Sequence, residues 1–135
     1  MSDTAPTRTA ACACGQLRAH TYGEPRSVYA CACLDCQRAT GSAFSYRARY
    51  ELAQLRIEGG ARAWRRGSDA GRWVEQHFCP HCGTLVYMTA ESLPDGAVVS
   101  AGCFADPEFA APGRLYRASR KHGWFDPGAA IETVG

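Results

Sequence analysis

The sequence predicts a mainly β domain of the sandwich or barrel-like kind, with little helix. Three observations carry that expectation. Short apolar–polar alternations recur in the two-residue period of half-buried strands. Turn residues, 14 glycines and seven prolines in 135 positions, separate these runs. No long window carries the 3.6-residue apolar stripe of an amphipathic helix. Strands closely spaced between turn signals are the pattern of all-β sandwiches and barrels.

Taken in order, residues 1–10 read as a short flexible tail of small and polar residues, and residues 11–135 as one domain. The expected strands are Gln16–Tyr22, Arg26–Ala30, Phe44–Tyr50, Leu55–Glu58, Ala61–Arg65, Arg72–Phe78, Thr84–Met88, Ala97–Ala101 and Arg114–Ser119. In Arg72–Phe78 the alternation places Trp73, Glu75 and His77 on one face and Val74, Gln76 and Phe78 on the other. One short helical turn is expected at Leu34–Ala39. No internal repeat or low-complexity segment interrupts the domain.

Composition narrows the function classes. Hydrophobic residues at 46% and charged residues at 21% fit a soluble folded domain. Fifteen basic against 13 acidic residues give a formal charge of +2, too small to imply nucleic acid or an anionic membrane as partner. No apolar run reaches the length of a transmembrane helix, and MSDTAPTRTA lacks the apolar core of an export signal. The outlier is cysteine, with eight residues. In a reducing compartment, clustered cysteines hold metal more often than they form disulfides.

Seven of the eight fall into three clusters: Cys12-Ala-Cys14-Gly15, Cys31-Ala-Cys33-Leu-Asp-Cys36 and Cys79-Pro-His-Cys82-Gly83. The third has the form of a zinc knuckle. Its two-residue spacer lets both sulfurs face one ion, and Gly83 suits a left-handed position after the second ligand. Paired with the first cluster it gives four thiolates, Cys12, Cys14, Cys79 and Cys82, enough to close a tetrahedron as structural zinc sites do. Cys31, Cys33 and Cys36 offer three thiolates and leave one coordination position free, as a catalytic zinc requires. Three other readings stay open at this level. They are disulfides, an iron–sulfur cluster, and two purely structural zincs with a fourth ligand from Cys103 or a histidine.

Other residues receive simpler readings. Cys103 is expected as a small buried apolar residue, and His81 as an exposed knuckle residue. His77 enters the knuckle on its strand; His20 and His122 read as surface or turn residues. Asp106 before Pro107 reads as a turn former. Arg38, Arg47 and Arg49 flank the second cluster and are candidate carboxylate clamps. Trp64, Trp73 and Trp124 read as core or rim.

With Thr40-Gly41-Ser42-Ala43-Phe44 after the second cluster and Phe78 before the third, these motifs resemble the glutathione-dependent formaldehyde-activating enzyme family, which shares its domain with centromere protein V. The resemblance runs from about Cys12 to Trp124. It implies an Mss4-like β fold. It implies a structural zinc on Cys12, Cys14, Cys79 and Cys82 and a catalytic zinc on Cys31, Cys33 and Cys36. The implied activity is that of a carbon–sulfur lyase, joining formaldehyde to glutathione as S-(hydroxymethyl)glutathione. Two places depart from the usual pattern: Glu75-Gln76-His77 stands where the family often has an arginine, and Gly102-Cys103-Phe104-Ala105-Asp106-Pro107 keeps only the second of two aspartates. The expected protein is thus a cytoplasmic, bacterial, zinc-dependent enzyme acting on a small thiol such as glutathione or its adduct. It is expected as a monomer or homodimer, with no nucleic acid or membrane partner. The competing expectation is a non-catalytic, zinc-stabilised β scaffold.

Overall fold

In the computed structural model, which describes residues 5–135, two blocks of sheet enclose the core. The smaller sheet has three strands: β1 (Arg8–Ala11), β2 (Arg18–Thr21) and β5 (Leu55–Glu58), in the order β1-β2-β5. The larger has eight. These are β3 (Ser27–Cys31), β4 (Ser45–Glu51), β6 (Arg62–Arg66), β7 (Val74–Phe78), β8 (Leu85–Ala90), β9 (Gly96–Ser100), β10 (Arg114–Tyr116) and β11 (Glu132–Val134). Their order is β11-β10-β3-β4-β9-β8-β7-β6, antiparallel except where β10 runs parallel to both β3 and β11. One helix of regular length is present among the described residues, α1 (Leu34–Thr40), with three short 3-10 turns. The mainly β class is the observed class.

The core lies between the sheets. Ala10, Leu17 and Ala19 from the small sheet and its hairpin meet Ala48, Tyr50, Val86 and Val99 from the large one, all fully buried. Each large apolar side chain here contributes roughly 1.5–3 kcal/mol by leaving water. Cys12 and Cys79 sit in this same cluster, so the first and third cysteine motifs are built into the wall of the core. The opposite face of the large sheet carries Tyr29, Cys31, Arg47, Met88 and Gln76. Alternation places them together: Tyr29 opposes Arg47, and Gln76 opposes Met88, across neighbouring strands.

Most expected strands are present with ends shifted by one or two residues. Leu55–Glu58 matches at both ends. Two strands were not anticipated. The tail expected over residues 1–10 is corrected at its C-terminal end, because Arg8, Thr9 and Ala10 belong to β1 and pair with Thr21, His20 and Ala19. Residues 1–4 lie outside the described residues. β11, also unforeseen, pairs with β10. The strand expected over Arg114–Ser119 stops at Tyr116, because Arg117 takes a left-handed backbone (φ 55°) and starts a 3-10 turn. No helix among the described residues is long and apolar enough to cross a membrane.

Candidate metal centre

The knuckle after β7 is a tight turn. Cys79 N–H donates to the Thr84 carbonyl (3.0 Å), and Gly83 N–H donates back to the Cys79 carbonyl (2.8 Å). Gly83 has φ 79°, the left-handed conformation that the sequence assigned to it. The hairpin between β1 and β2 repeats the device: Gly15 N–H donates to the Cys12 carbonyl (3.0 Å), with Gly15 at φ 84°. The two turns face each other. The Cys14 sulfur lies 3.6 Å from that of Cys12 and 3.7 Å from that of Cys79, and all four sulfurs including Cys82 lie within 4.8 Å of one another. A tetrahedron built on zinc–sulfur bonds of ~2.3 Å has edges of about 3.8 Å. The donor set and its spacing therefore fit a four-thiolate zinc.

Neutral donors turn toward these sulfurs. Leu17 N–H donates to Cys12 Sγ (3.3 Å), His81 N–H to Cys79 Sγ (3.4 Å) and Gln16 Nε2 to Cys79 Sγ (3.2 Å). The Thr84 hydroxyl lies 3.3 Å from Cys82 Sγ, and this contact leads the effects that hold the Cys82 thiol down to about 5. Cys14 and Cys82 are exposed, while Cys12 and Cys79 are buried. His81 itself is exposed, as expected.

The second cluster sits where β3 hands over to α1. Cys31 closes the strand and Cys33 caps the helix, its sulfur accepting the Cys36 N–H (3.3 Å). Cys36 follows one turn in, so the three sulfurs converge within 4.8 Å. Gly41 ends the helix in a left-handed cap that returns the chain into β4. Cys36 is 2% exposed, and Cys31 and Cys33 are half-buried. Among the described residues no fourth cysteine, histidine or carboxylate joins this group. Hydrogen bonds from Cys31 and Cys33 hold the Cys36 thiol far below the ordinary range, and the Arg47 guanidinium pulls in the same direction. Cys31 is pushed up, because it shares its proton with Cys33 and Cys36 and is partly desolvated.

This cluster opens into a cleft of about 160 Å³ that is also lined by Asp35, Arg47, Arg66, Asp69 and Arg117. Asp35 is engaged by Arg66 (3.6 Å) and Arg38 (3.8 Å). On the other side of Arg47 lies a larger cavity of about 420 Å³, with Phe44, Leu85 and Met88 as apolar wall and Thr40, Ser45 and Ser100 as polar wall. Cys103 lines that cavity and stands outside both sulfur groups; burial pushes its thiol up to about 11.

Of the three arginines that flank the cluster in sequence, only Arg47 donates to one of its sulfurs; Arg38 and Arg49 are exposed. His77 points away, its Nε2 3.1 Å from the Thr89 hydroxyl and its ring stacked on Tyr87. Asp106 forms the expected turn, accepting Glu108 N–H at 2.9 Å. Trp64 and Trp124 are exposed rim residues. His20 is a correction: it is 7% exposed, not a surface residue, held between the Thr9 hydroxyl (2.8 Å) and Glu58 (2.7 Å) across the small sheet. Sequence reasoning missed Arg66, Asp69 and Arg117 in the cleft. They arrive from β6, the loop before β7 and the turn after β10, and no local motif links them to the cysteines.

A sequence model described as "Glutathione-dependent formaldehyde-activating enzyme" matches residues 7–119. No curated relative matches the sequence. Among solved structures, a Rhodobacter sphaeroides protein determined by structural genomics aligns with a TM-score of 0.57 at 21% identity, covering 77% of this chain and 91% of that one. At that identity the likeness concerns the fold.

Proposed function

Since the chain belongs to the glutathione-dependent formaldehyde-activating enzyme family, we propose that it is a zinc-dependent carbon–sulfur lyase acting on a small thiol, such as glutathione, or on its aldehyde adduct. Cys12, Cys14, Cys79 and Cys82 hold the structural ion, and Cys31, Cys33 and Cys36 hold the catalytic one. The observation that carries this reading is a three-thiolate group, without a fourth protein donor among the described residues, at the floor of a cleft. A scaffold would need a fourth protein ligand to close the site, and Cys103 stands apart.

Zinc held at an open three-ligand site supplies Lewis-acid activation and lowers the pKa of a thiol or water near it. The chain's own residues do the rest. Asp35 is occupied by Arg66 and Arg38, which leaves Asp69 as the cleft carboxylate able to take up a thiol proton. Arg117, exposed at the rim of the cleft, offers a planar cation to a substrate carboxylate. The test is a screen of zinc-loaded protein with formaldehyde and several thiols, following adduct formation by nuclear magnetic resonance. Acceleration above the spontaneous rate with at least one thiol is expected; no acceleration with any thiol sinks the reading.

The two ions are expected to differ in lability. Mild chelation removes about one zinc equivalent, from the three-ligand cluster, while far-UV circular dichroism stays native. Loss of both ions together with unfolding would show two equivalent structural sites instead.

A further inference from the structure

The two sulfur clusters differ in what surrounds them. Around the four-cysteine group the donors among the described residues are neutral: backbone N–H groups, an amide and a hydroxyl. At the three-cysteine group a full positive charge is in contact. Arg47 Nη2 lies 3.1 Å from Cys36 Sγ and 3.6 Å from Met88 Sδ, and its Nε is buried with no partner. Among the described residues Arg47 makes no ion pair with a carboxylate, while the neighbouring Arg66 does so with Asp35. The guanidinium is fixed from the sheet below: Arg47 lies on the central strand β4, opposite Tyr29 on one side and Ser100 on the other.

Charge counting gives this contact a consequence. Three thiolates on a divalent ion carry a formal charge of −1, and a fourth thiolate makes it −2. The four-cysteine group, half of it exposed, can leave such charge to water through Cys14 and Cys82. The three-cysteine group has no exposed member, with Cys36 2% exposed and Cys31 and Cys33 half-buried, and so has less water to use. A fixed cation in hydrogen-bond contact with one of its sulfurs offsets one unit of that charge.

Resting on the reading of this group as a ligand-accepting metal site, we propose that Arg47 is its charge-compensating residue. The guanidinium brings the metal-loaded three-cysteine group to neutrality, and so selects an anionic sulfur donor over a neutral one. Arg47 acts through Cys36, as a positioning and specificity residue rather than a catalytic one. The proposal concerns the ligand preference of the group, not the turnover of a particular substrate.

Cobalt-loaded protein tests it without an activity assay. The four-cysteine group is saturated, so changes in the sulfur-to-cobalt charge-transfer absorption on adding a ligand report the open group. Titrations with 2-mercaptoethanol, an anionic donor when bound, and with imidazole, a neutral one, give the preference as a ratio of affinities. In Arg47→Met, thiol affinity is expected to fall about 10- to 100-fold while imidazole affinity changes by less than about 3-fold. Arg47→Lys, which keeps the charge, is expected to hold the ratio within about 3-fold of the original. An unchanged ratio in folded Arg47→Met overturns the proposal, as does equal weakening of both ligands, which marks a merely structural role. Should Arg47→Met fail to fold, Arg47→Lys decides alone: loss of the thiol preference in that variant overturns it. If the unsubstituted protein shows no thiol-dependent change, the enzyme reading fails and this inference with it. If that change occurs but is indifferent to Arg47, only this inference fails.

Discussion

Replacing Cys79 by serine leaves the chain insoluble or unfolded. Cys79 is fully buried in the main core cluster beside Cys12, Leu17 and Val86. Its sulfur faces those of the N-terminal hairpin across 65 residues of chain, with Cys14 Sγ at 3.7 Å. Structural zinc contributes ~10 kcal/mol or more of apparent binding energy in small domains, comparable to the whole stability of a chain this size. A serine hydroxyl stays protonated near neutral pH and is a far weaker zinc donor than a thiolate. The substitution also leaves a polar group in the core wall, and the amide of Gln16 loses its sulfur acceptor. Cys103→Ser is the control. Its sulfur lies outside both groups and makes one long contact, 3.6 Å to the Leu85 carbonyl, so a loss of about 1 kcal/mol is expected. Soluble yield, thermal melting and zinc content read both variants. A soluble Cys79→Ser protein that melts cooperatively near the temperature of the unsubstituted protein would remove this group from the folding of the domain.

The cysteine motifs were legible because their chemistry is local. Within each motif a spacing of one or two residues lets the sulfurs converge on one point, and Gly83 takes the backbone conformation its position required. The strand alternation was legible where both faces were distinct. Gln76 reaches Arg66 on one side of β7, while His77 and Glu75 meet Tyr87 and Arg65 on the other. What was not legible depends on partners distant in sequence. β1 is built from Arg8-Thr-Ala-Ala11, with no apolar alternation of its own, and exists because β2 offers it a ladder. β11 pairs in parallel with β10, a pairing no turn announces. His20 looks like any exposed strand residue until Thr9 and Glu58 arrive from both neighbouring strands. Arg47 and Arg49 share one face of β4 and have the same residue type, yet only Arg47 lies at the level of α1, where Cys36 can meet it.

Replacing Cys33 by serine should abolish turnover while the fold and the four-cysteine ion remain. The local geometry makes this substitution unusually clean. Cys33 is the N-cap of α1, and its sulfur accepts the Cys36 N–H at 3.3 Å. Serine is among the best N-cap residues and can accept the same N–H through its hydroxyl, so the helix that carries Cys36 keeps its cap. Cys33 is half-buried at the cleft and belongs neither to the main core nor to the smaller cluster of Ala30, Ala32 and Leu115, so no cavity is opened inside the domain. The metal set alone changes: three thiolates become two thiolates and a hydroxyl, a weak donor for zinc. Zinc content is expected to fall from about two equivalents to about one. The melting temperature should move by no more than a few degrees, consistent with a loss of about 1 kcal/mol or less. Turnover of a confirmed thiol substrate should fall at least ~10²-fold, since Lewis-acid stabilisation worth several kcal/mol goes with the ion. A Cys33→Ser protein that has lost one zinc equivalent and keeps full activity would place the chemistry elsewhere on the surface. One that keeps both equivalents would show that Cys31 and Cys36 hold their ion without it, and that the third sulfur serves the helix cap alone.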